Sequence, residues 1–373
     1  MAVQVRELDI ATERERFIKL QWRFLGQDPN WAPPLLMDRR KLLDTKKNPF
    51  YRHAEIALFI AEKDGQPAGR IAAITNANHN AVHRDKVGFF GFFDCADDQE
   101  VANALFDAAA AWLKARGMDT MRGPMNPSIN DEIGMLVKGF DSPPLVLMTY
   151  NPPYYAALCD GYGFVKEKDL LAYAIHNETT VSPKLERVQK AVRERYKVTL
   201  RDVDFSKLEK EIVILRDLYN RSWEDNWGAV AMTDAEFDFL AADLKQVLGS
   251  HKDFASFLLR DGVPIGFSLT LPDINELLLS NRRGWMLPGV FKLLTGMKKV
   301  KKSRILVLGV LPEHRDKGFD AIMYYEIWSR AAKHGIFFGE ASWILEDNVM
   351  MNRAAKLMNA DPYKTYRIYD KAI

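Results

Sequence analysis

Apolar positions along this chain recur with period two and period 3.6 in an order that is run through twice. Val3 to Leu8 alternates as a strand, and Phe17, Leu20 and Phe24 recur at helical spacing. Ile56 to Ala61 and Ala68 to Thr75 form two strands around Asp64-Gly65-Gln66-Pro67, a hairpin signal. An aromatic strand, Val87 to Phe93, precedes a helical stripe of Val101, Leu105, Ala109, Trp112 and Leu113, which Gly117 closes. A further strand, a short helix at Tyr154 to Gly163 and a strand at Asp169 to Ile175 complete the first pass.

The second pass repeats these elements. Val198 to Val203 predicts a strand and Leu208 to Trp223 a helix. Phe254 to Leu259 and Ile265 to Thr270 flank Asp261-Gly262-Val263-Pro264, so D-G-V-P-I-G repeats the D-G-Q-P-A-G of the first half. The uninterrupted apolar run Ile305 to Val310 has the pattern of a buried strand, and Ile322, Met323, Ile327 and Ala331 then share a helical face ending at Gly335. From hairpin glycine to helix-end glycine is 52 residues in the first half and 73 in the second, so the second half holds an insertion of about twenty. A tandem duplication accounts for the pattern. It predicts a domain over 1–178, a linker helix over 179–196 and a second domain over 197–373.

Between the strand and helix of the second pass lies a turn containing Pro312, Arg315, Lys317 and Gly318. Such a turn aims free backbone N–H groups and the positive end of a helix dipole at one point. That point suits a phosphate. No Gly-Lys-Ser/Thr follows, and the three spaced glycines of a dinucleotide fingerprint are missing. In the first half the same place holds Asp94, Asp97, Asp98 and Glu100, with no glycine, lysine or arginine. Charge repulsion argues against a phosphate there, and Asp97 or Asp98 suits a helix cap.

The stretch V-L-P-E-H-R-D-K-G-F-D resembles motif A of the GNAT acyltransferases, in which Arg or Gln, two residues, Gly, one residue and a small residue wrap the diphosphate of coenzyme A. Arg315 and Gly318 match, while Asp320 stands where the small residue belongs. The element order of both halves is that of a GNAT domain. The resemblance therefore implies an α/β (α+β) protein of two tandem GNAT-like domains, each a mixed, mostly antiparallel twisted sheet flanked by helices. It implies acetyl-CoA or a longer acyl-CoA as co-substrate, held by Leu308, Val310, Arg315, Asp316, Lys317, Gly318, Phe319 and Asn348. It places the thioester in a V between the strand Ile305–Val310 and its neighbour Ile336–Trp343. Asn348 resembles the asparagine of motif B, but Ala355 occupies the place of the tyrosine that usually protonates the leaving thiolate.

Moving an acyl group to an amine requires a base, an orienting surface, a polarised carbonyl and an acid. Glu340 and Glu346 are the base candidates, with His314 beside them; Tyr366 and Tyr363 are candidate acids. Amides around Gly309 to Leu311 would polarise the carbonyl. Asn126, Asn130 and Glu132, with Asn78 in an expected loop at Asn78-His79-Asn80, are the acceptor-site candidates. His79 and His83 lack a cysteine partner or metal-site spacing, so no metal is expected.

Composition narrows the rest. A net charge of +2 gives no argument for nucleic acid. Two cysteines, Cys95 and Cys159, fit a reducing compartment, and a polar start without a long apolar run predicts a cytoplasmic protein. The surplus segment 281–302 has no acidic residue, several lysines and arginines, and Trp285, Met286, Leu287, Val290, Phe291, Leu293 and Leu294. It suits peripheral contact with an anionic, greasy surface, either a bilayer or an acyl-CoA tail; a helix packed on its own domain has the same pattern. The resulting reading is an acyl-CoA-dependent N-acyltransferase acting on a small-molecule or lipid amine. One sharper version takes a long acyl chain and a lipid amine, like the GNAT-type enzymes proposed to make bacterial ceramides. Another reading is a non-catalytic acyl-CoA or lipid binder.

Overall fold

The computed structural model describes residues 2–176, 181–242 and 247–373. In chain order it runs β1 (Gln4–Leu8), α1 (Ile10–Leu25), α2 (Leu36–Leu42), β2 (Ala54–Lys63), β3 (Gln66–Asn76), α3 (Ala77–His83), β4 (Val87–Cys95) and α4 (Gln99–Lys114). Next come β5 (Thr120–Gly123), β6 (Met125–Asn126), β7 (Glu132–Ile133), β8 (Met135–Lys138), α5 (Tyr154–Tyr162) and β9 (Val165–His176). Then follow α6 (Pro183–Tyr196), β10 (Val198–Asp202), α7 (Leu208–Trp223), α8 (Asp234–Ala241), β11 (Ala255–Arg260) and β12 (Val263–Pro272). The chain ends with α9 (Met286–Gly296), β13 (Lys302–Val310), α10 (Phe319–Lys333), β14 (Phe338–Leu345), α11 (Val349–Leu357) and β15 (Asp361–Ala372). No helix among the described residues is long and apolar enough to cross a membrane.

Two compact units result, one of residues 1–170, 278–290 and 364–373, the other of 171–277 and 291–363. The boundary expected at 178 falls in 177–180, outside the described residues. In the first unit β1, β2, β3 and β4 pair antiparallel in sequence, and β5 pairs parallel to β4. The last strand joins this unit: Tyr369 to Ala372 pair with β5, and Thr365 to Arg367 with β8. In the second unit β10, β11, β12 and β13 pair antiparallel, and β14 pairs parallel to β13. In both units the strands pair in a mixed, mostly antiparallel manner and are flanked by helices, and the strand pattern is the same.

The repeated Asp-Gly dipeptides explain the repeated hairpins. Asp64 and Gly65 adopt φ of 54° and 73°, and Asp261 and Gly262 adopt 51° and 79°, the paired left-handed geometry of a two-residue hairpin turn. The main core of the first unit lies between its sheet and α4, where Val101, Leu105, Phe106, Ala109 and Leu113 are fully buried. In the second unit Phe319, Ile322 and Met323 of α10 fill the corresponding layer against Leu258 and Ile265.

Two expectations are corrected. Asn78-His79-Asn80 is not a loop but lies within α3, whose start Asn76 caps by accepting from the His79 amide at 3.1 Å. The insertion is not wholly packed with the second half, since 278–290 group with the first unit. Arg282 explains this: its guanidinium donates to the carbonyls of Gly26, Asp28 and Trp31 at 2.6–2.8 Å. The Arg282 carbonyl accepts from Trp22 Nε1 at 2.9 Å.

Candidate active site

In the second unit β13 begins as a fully paired strand and ends as one wall of a wedge. Lys302 to Ile305 pair in parallel with Phe338 to Ala341. The ladder stops there, although β13 continues to Val310 and β14 to Leu345. On its other edge β13 stays paired with β12 as far as Gly266↔Val310, with a register shift that skips Leu306. Leu306, Val307 and Leu308 are only half buried, although a strand of a parallel pair ordinarily buries such a run.

The amides along the wedge follow from the pairing. The Leu311 N–H donates to the Ile265 carbonyl at 2.9 Å. Alternation in an antiparallel pair therefore points the Gly309 amide at β12 and turns those of Leu308 and Val310 toward the gap. Of the amides expected to polarise a carbonyl, only that of Val310 is so placed. Gly309 is needed for another reason: a Cβ there would lie 2.5 Å from the Trp223 ring of α7. Trp223 in turn stacks on Tyr219 at 5.0 Å between ring centres.

The turn between β13 and α10 is built from Pro312–His314 and a left-handed pair, Asp316 at φ 62° and Gly318 at φ 76°. Gly318 caps α10 without a side chain, and the Ala321 amide donates to the Gly318 carbonyl at 3.2 Å. Arg315 is exposed, and its Nη2 donates to the Ser222 carbonyl at 2.7 Å. Lys317 Nζ donates to the Glu313 carbonyl at 2.9 Å. Buried His314 Nδ1 has no hydrogen-bond partner among the described residues. Burial, with Lys317 nearby, holds the His314 imidazole below its ordinary pKa. Two cations and an orphaned ring nitrogen beside a glycine-capped helix start fit a diphosphate. Asp320 opposes it in charge, yet burial pushes this carboxyl above the usual carboxylate range, with Asp316 adding to the effect and the Ala321 amide resisting it. A shift in that direction lessens, rather than adds to, the opposition of Asp320 to a phosphate.

On the sheet face opposite Ser303 and Ile305, strand alternation sets Arg304, Glu340 and Ser342 together. All three are buried, Glu340 fully. Arg304 Nε donates to Ser342 Oγ at 2.8 Å, and Ser342 Oγ donates to Glu340 Oε1 at 2.6 Å. Arg304 lies 3.7 Å from Glu340, and the Tyr363 hydroxyl donates to Glu340 Oε2. The half-buried Tyr363 is the most accessible member of this group. Arg304 and Ser342 escape the sequence reading; an arginine set directly before an apolar run is the only local sign of them.

A small, mostly apolar groove opens on the other face, walled by Ile175, Leu185, Ile305, Ile327, Trp328 and Met358. Ile305 belongs both to the last pair of the β13–β14 ladder and to this wall, so the groove meets the apex of the wedge.

The other candidates are placed as follows. Asn348 caps α11 by accepting from the Met351 amide at 3.0 Å. Glu346 is exposed after β14, and Ala355 is buried. Tyr366 is fully buried in the first unit, its Cβ 3.0 Å from where Gly134 would carry one. Also in the first unit, Asn126 Oδ1 accepts from the Phe92 amide at 2.6 Å, and Glu132 forms a two-pronged ion pair with Arg39 at 2.7 and 2.9 Å. The Asn130 amide donates to Ser128 Oγ at 3.2 Å, while Asn78 lies on α3. The structure thus gathers the motif A residues around one wedge and gives Asn126 and Glu132 partners within the first unit.

No family model matches the chain. It is 38% identical over 371 residues to a bacterial ceramide synthase of Caulobacter vibrioides, covering 97% of this chain and 95% of that protein. It is 36% identical over 365 residues to the protein YghO of Escherichia coli, covering 96% and 92%. Among solved structures, a tandem GNAT protein from the clavulanic acid biosynthesis pathway superposes with a TM-score of 0.57 over 99% of this chain and 98% of its own, at 10% identity.

Proposed function

The chain belongs to the family of the Caulobacter bacterial ceramide synthase and YghO, on the tandem GNAT fold, and from that premise we propose that it transfers a long acyl chain from coenzyme A to a lipid amine. The observation that carries this reading is the parallel ladder that stops at Ile305↔Ala341 and meets an apolar groove at its apex. Arg315, Lys317 and the first-turn amides of α10 hold the diphosphate of the donor. The Leu308 and Val310 amides bind along the wedge, and Val310 polarises the thioester carbonyl. The groove takes the acyl chain.

The acceptor enters as an ammonium and must lose a proton before it attacks. Glu340 is too deeply buried to meet it directly, so the proton passes through the Tyr363 hydroxyl to Glu340. The free amine adds to the carbonyl carbon, the carbon–sulfur bond breaks, and the departing thiolate takes the second proton from the former amine nitrogen, giving the amide and free coenzyme A. We place this activity in the cytoplasm.

The test is thiol release by the purified protein from palmitoyl-CoA and acetyl-CoA with a long-chain amino alcohol, with the amide identified by mass spectrometry. Release from palmitoyl-CoA well above that from acetyl-CoA is expected; release from neither, or preference for acetyl-CoA, overturns the reading. Ala355, buried where the family's usual acid stands, favours a second reading, an acyl-CoA binder without turnover. It predicts calorimetric binding of palmitoyl-CoA with no thiol released.

A further inference from the structure

α9 is built inside out. In a helix on a globular protein, large apolar residues ordinarily face inward and small or polar ones outward. Here Leu287, Phe291 and Leu294, spaced i, i+4 and i+7 along one face, are 76%, 66% and 76% exposed, and Trp285 and Met286 beside them are half exposed. Its buried positions are glycines, with Val290 and Leu293 half buried beside them. A Cβ on Gly289 would lie 2.3 Å from Leu35 and 2.9 Å from Asn281, and one on Gly296 would lie 2.7 Å from Leu277. Those close approaches seat the helix by its backbone and leave its bulk in solvent.

Exposure of this kind marks a contact surface, and the surrounding charge says with what. From Asn281 to Lys302 the chain carries no acidic residue. Arg283, Lys298 and Lys299 are exposed on the same segment, and the Arg283 guanidinium lies over the Trp285 ring at 4.8 Å. Large apolar side chains for the acyl region, a tryptophan for the interface and cations for the headgroups are the make-up of a helix lying in a membrane surface. The charges that the segment itself contributes are all cationic, which favours an anionic lipid surface over a protein partner of mixed charge.

We propose that α9 docks the protein on the surface of an anionic phospholipid bilayer, with Leu287, Phe291 and Leu294 inserted and Arg283, Lys298 and Lys299 at the headgroups. Docking deepens the transferase reading by bringing the site to a lipid acceptor, but it rests on the helix and not on turnover.

The experiment is co-sedimentation of the full chain with vesicles of phosphatidylcholine alone or with one-third phosphatidylglycerol. The expected result is pelleting with the anionic vesicles, weakening as salt rises. L287E/F291E/L294E should weaken binding at least tenfold, while thiol release from a short-chain acyl-CoA to a soluble amine stays unchanged. K298E/K299E should lose the preference for phosphatidylglycerol. A readout on the native sequence is quenching of tryptophan fluorescence by brominated lipid, which Trp285→Phe should largely remove. Equal pelleting of the native and triple-variant proteins overturns the proposal. So does a native dimer by light scattering that the triple variant dissolves, since a second copy would then be the occupant. Vesicle binding is read whether or not thiol is released, so failure of docking and failure of acyl transfer are separate results.

Discussion

The two halves build the same strand, turn and helix, and differ in what fills the space at the helix start. In the first unit the β4–β5 ladder also stops early, after Phe89↔Arg122. Beyond that pair the gap is sealed. A Cβ on Gly91 would lie 1.7 Å from the Met125 carbonyl oxygen, and the Phe92 amide is taken by Asn126. Every residue of β4 is buried. Asp98 caps α4 by accepting from the amides of Glu100 and Val101, and Lys63 pairs with both Asp98 and Glu100. The protein has thus supplied its own anion and closed its own wedge. In the second unit the wedge keeps half-buried Leu306 to Leu308, and glycine caps the helix. A duplicated fold does not duplicate a site; the residues at the wedge and the cap decide which copy keeps one.

The comparison breaks most forcefully at the buried charges. Each unit holds a buried arginine–carboxylate pair on its sheet, Arg70–Asp94 at 2.7 Å and Arg304–Glu340 at 3.7 Å. Removing one partner leaves an uncompensated buried charge, which costs about 3–5 kcal/mol. Arg70→Met and Arg304→Met should both lose about this much in urea unfolding. Only Arg304→Met should also lower acyl transfer per folded molecule, because it leaves Glu340 without its cation. Glu340→Gln strands Arg304 in turn, so it should lose a similar amount of stability, and turnover per folded molecule should fall at least 100-fold.

The two helix starts also differ in the charge they present to a phosphate. Arg315→Glu should weaken coenzyme A binding about 100-fold in calorimetry, roughly 3 kcal/mol. Asp98→Arg, which removes the anion from the first-half cap, should leave that affinity unchanged. If Asp98→Arg creates a second binding event, the sealed wedge is not the obstacle and the comparison fails. At the cap itself, Gly318→Ala forces a Cβ into φ 76° and to 3.3 Å from Val192. The left-handed conformation costs about 1–2 kcal/mol, to be read as a lower unfolding midpoint together with weaker coenzyme A binding.

How far the sequence carries this comparison depends on the range of the interactions. The hairpins at Asp64-Gly65 and Asp261-Gly262, the glycine at 318 and the caps at Asp98 and Asn348 are local choices of backbone, and each is legible from a few neighbouring residues. Asn78 to Asn80 misleads at the same range, because Asn76 turns a polar loop pattern into a capped helix. Partners distant in the chain are not legible. Nothing near Arg304 announces Glu340, and nothing in Thr365 to Ala372 announces β5 and β8. α9 shows the limit most plainly: periodicity tells which residues share a face, and only packing of Gly289 and Gly296 tells which face is out.

The finest test sets the two acids at the helix starts against each other. Asp98 is held below the usual carboxylate range, first by the hydrogen bond from Lys63. Asp320 is held above it, first by burial. A lowered carboxylate contributes stability that is present above its unfolded pKa and lost as pH falls through the folded value. A raised one behaves oppositely: the native state is favoured below the unfolded pKa, and that advantage is lost as pH rises through the folded value. Asp98→Asn should therefore destabilise at pH 7 by about 0.5–1 kcal/mol as a weakened cap, with the difference shrinking below pH 4. Asp320→Asn should stabilise at pH 7 relative to the native chain and converge with it as pH falls toward 4. Urea midpoints of both variants at pH 4 and pH 7 give the four numbers needed. The same sign for the two differences at pH 7 would mean that Asp320 is an ordinary helix-start acid and that the second-unit turn is no better prepared for an anion than the first.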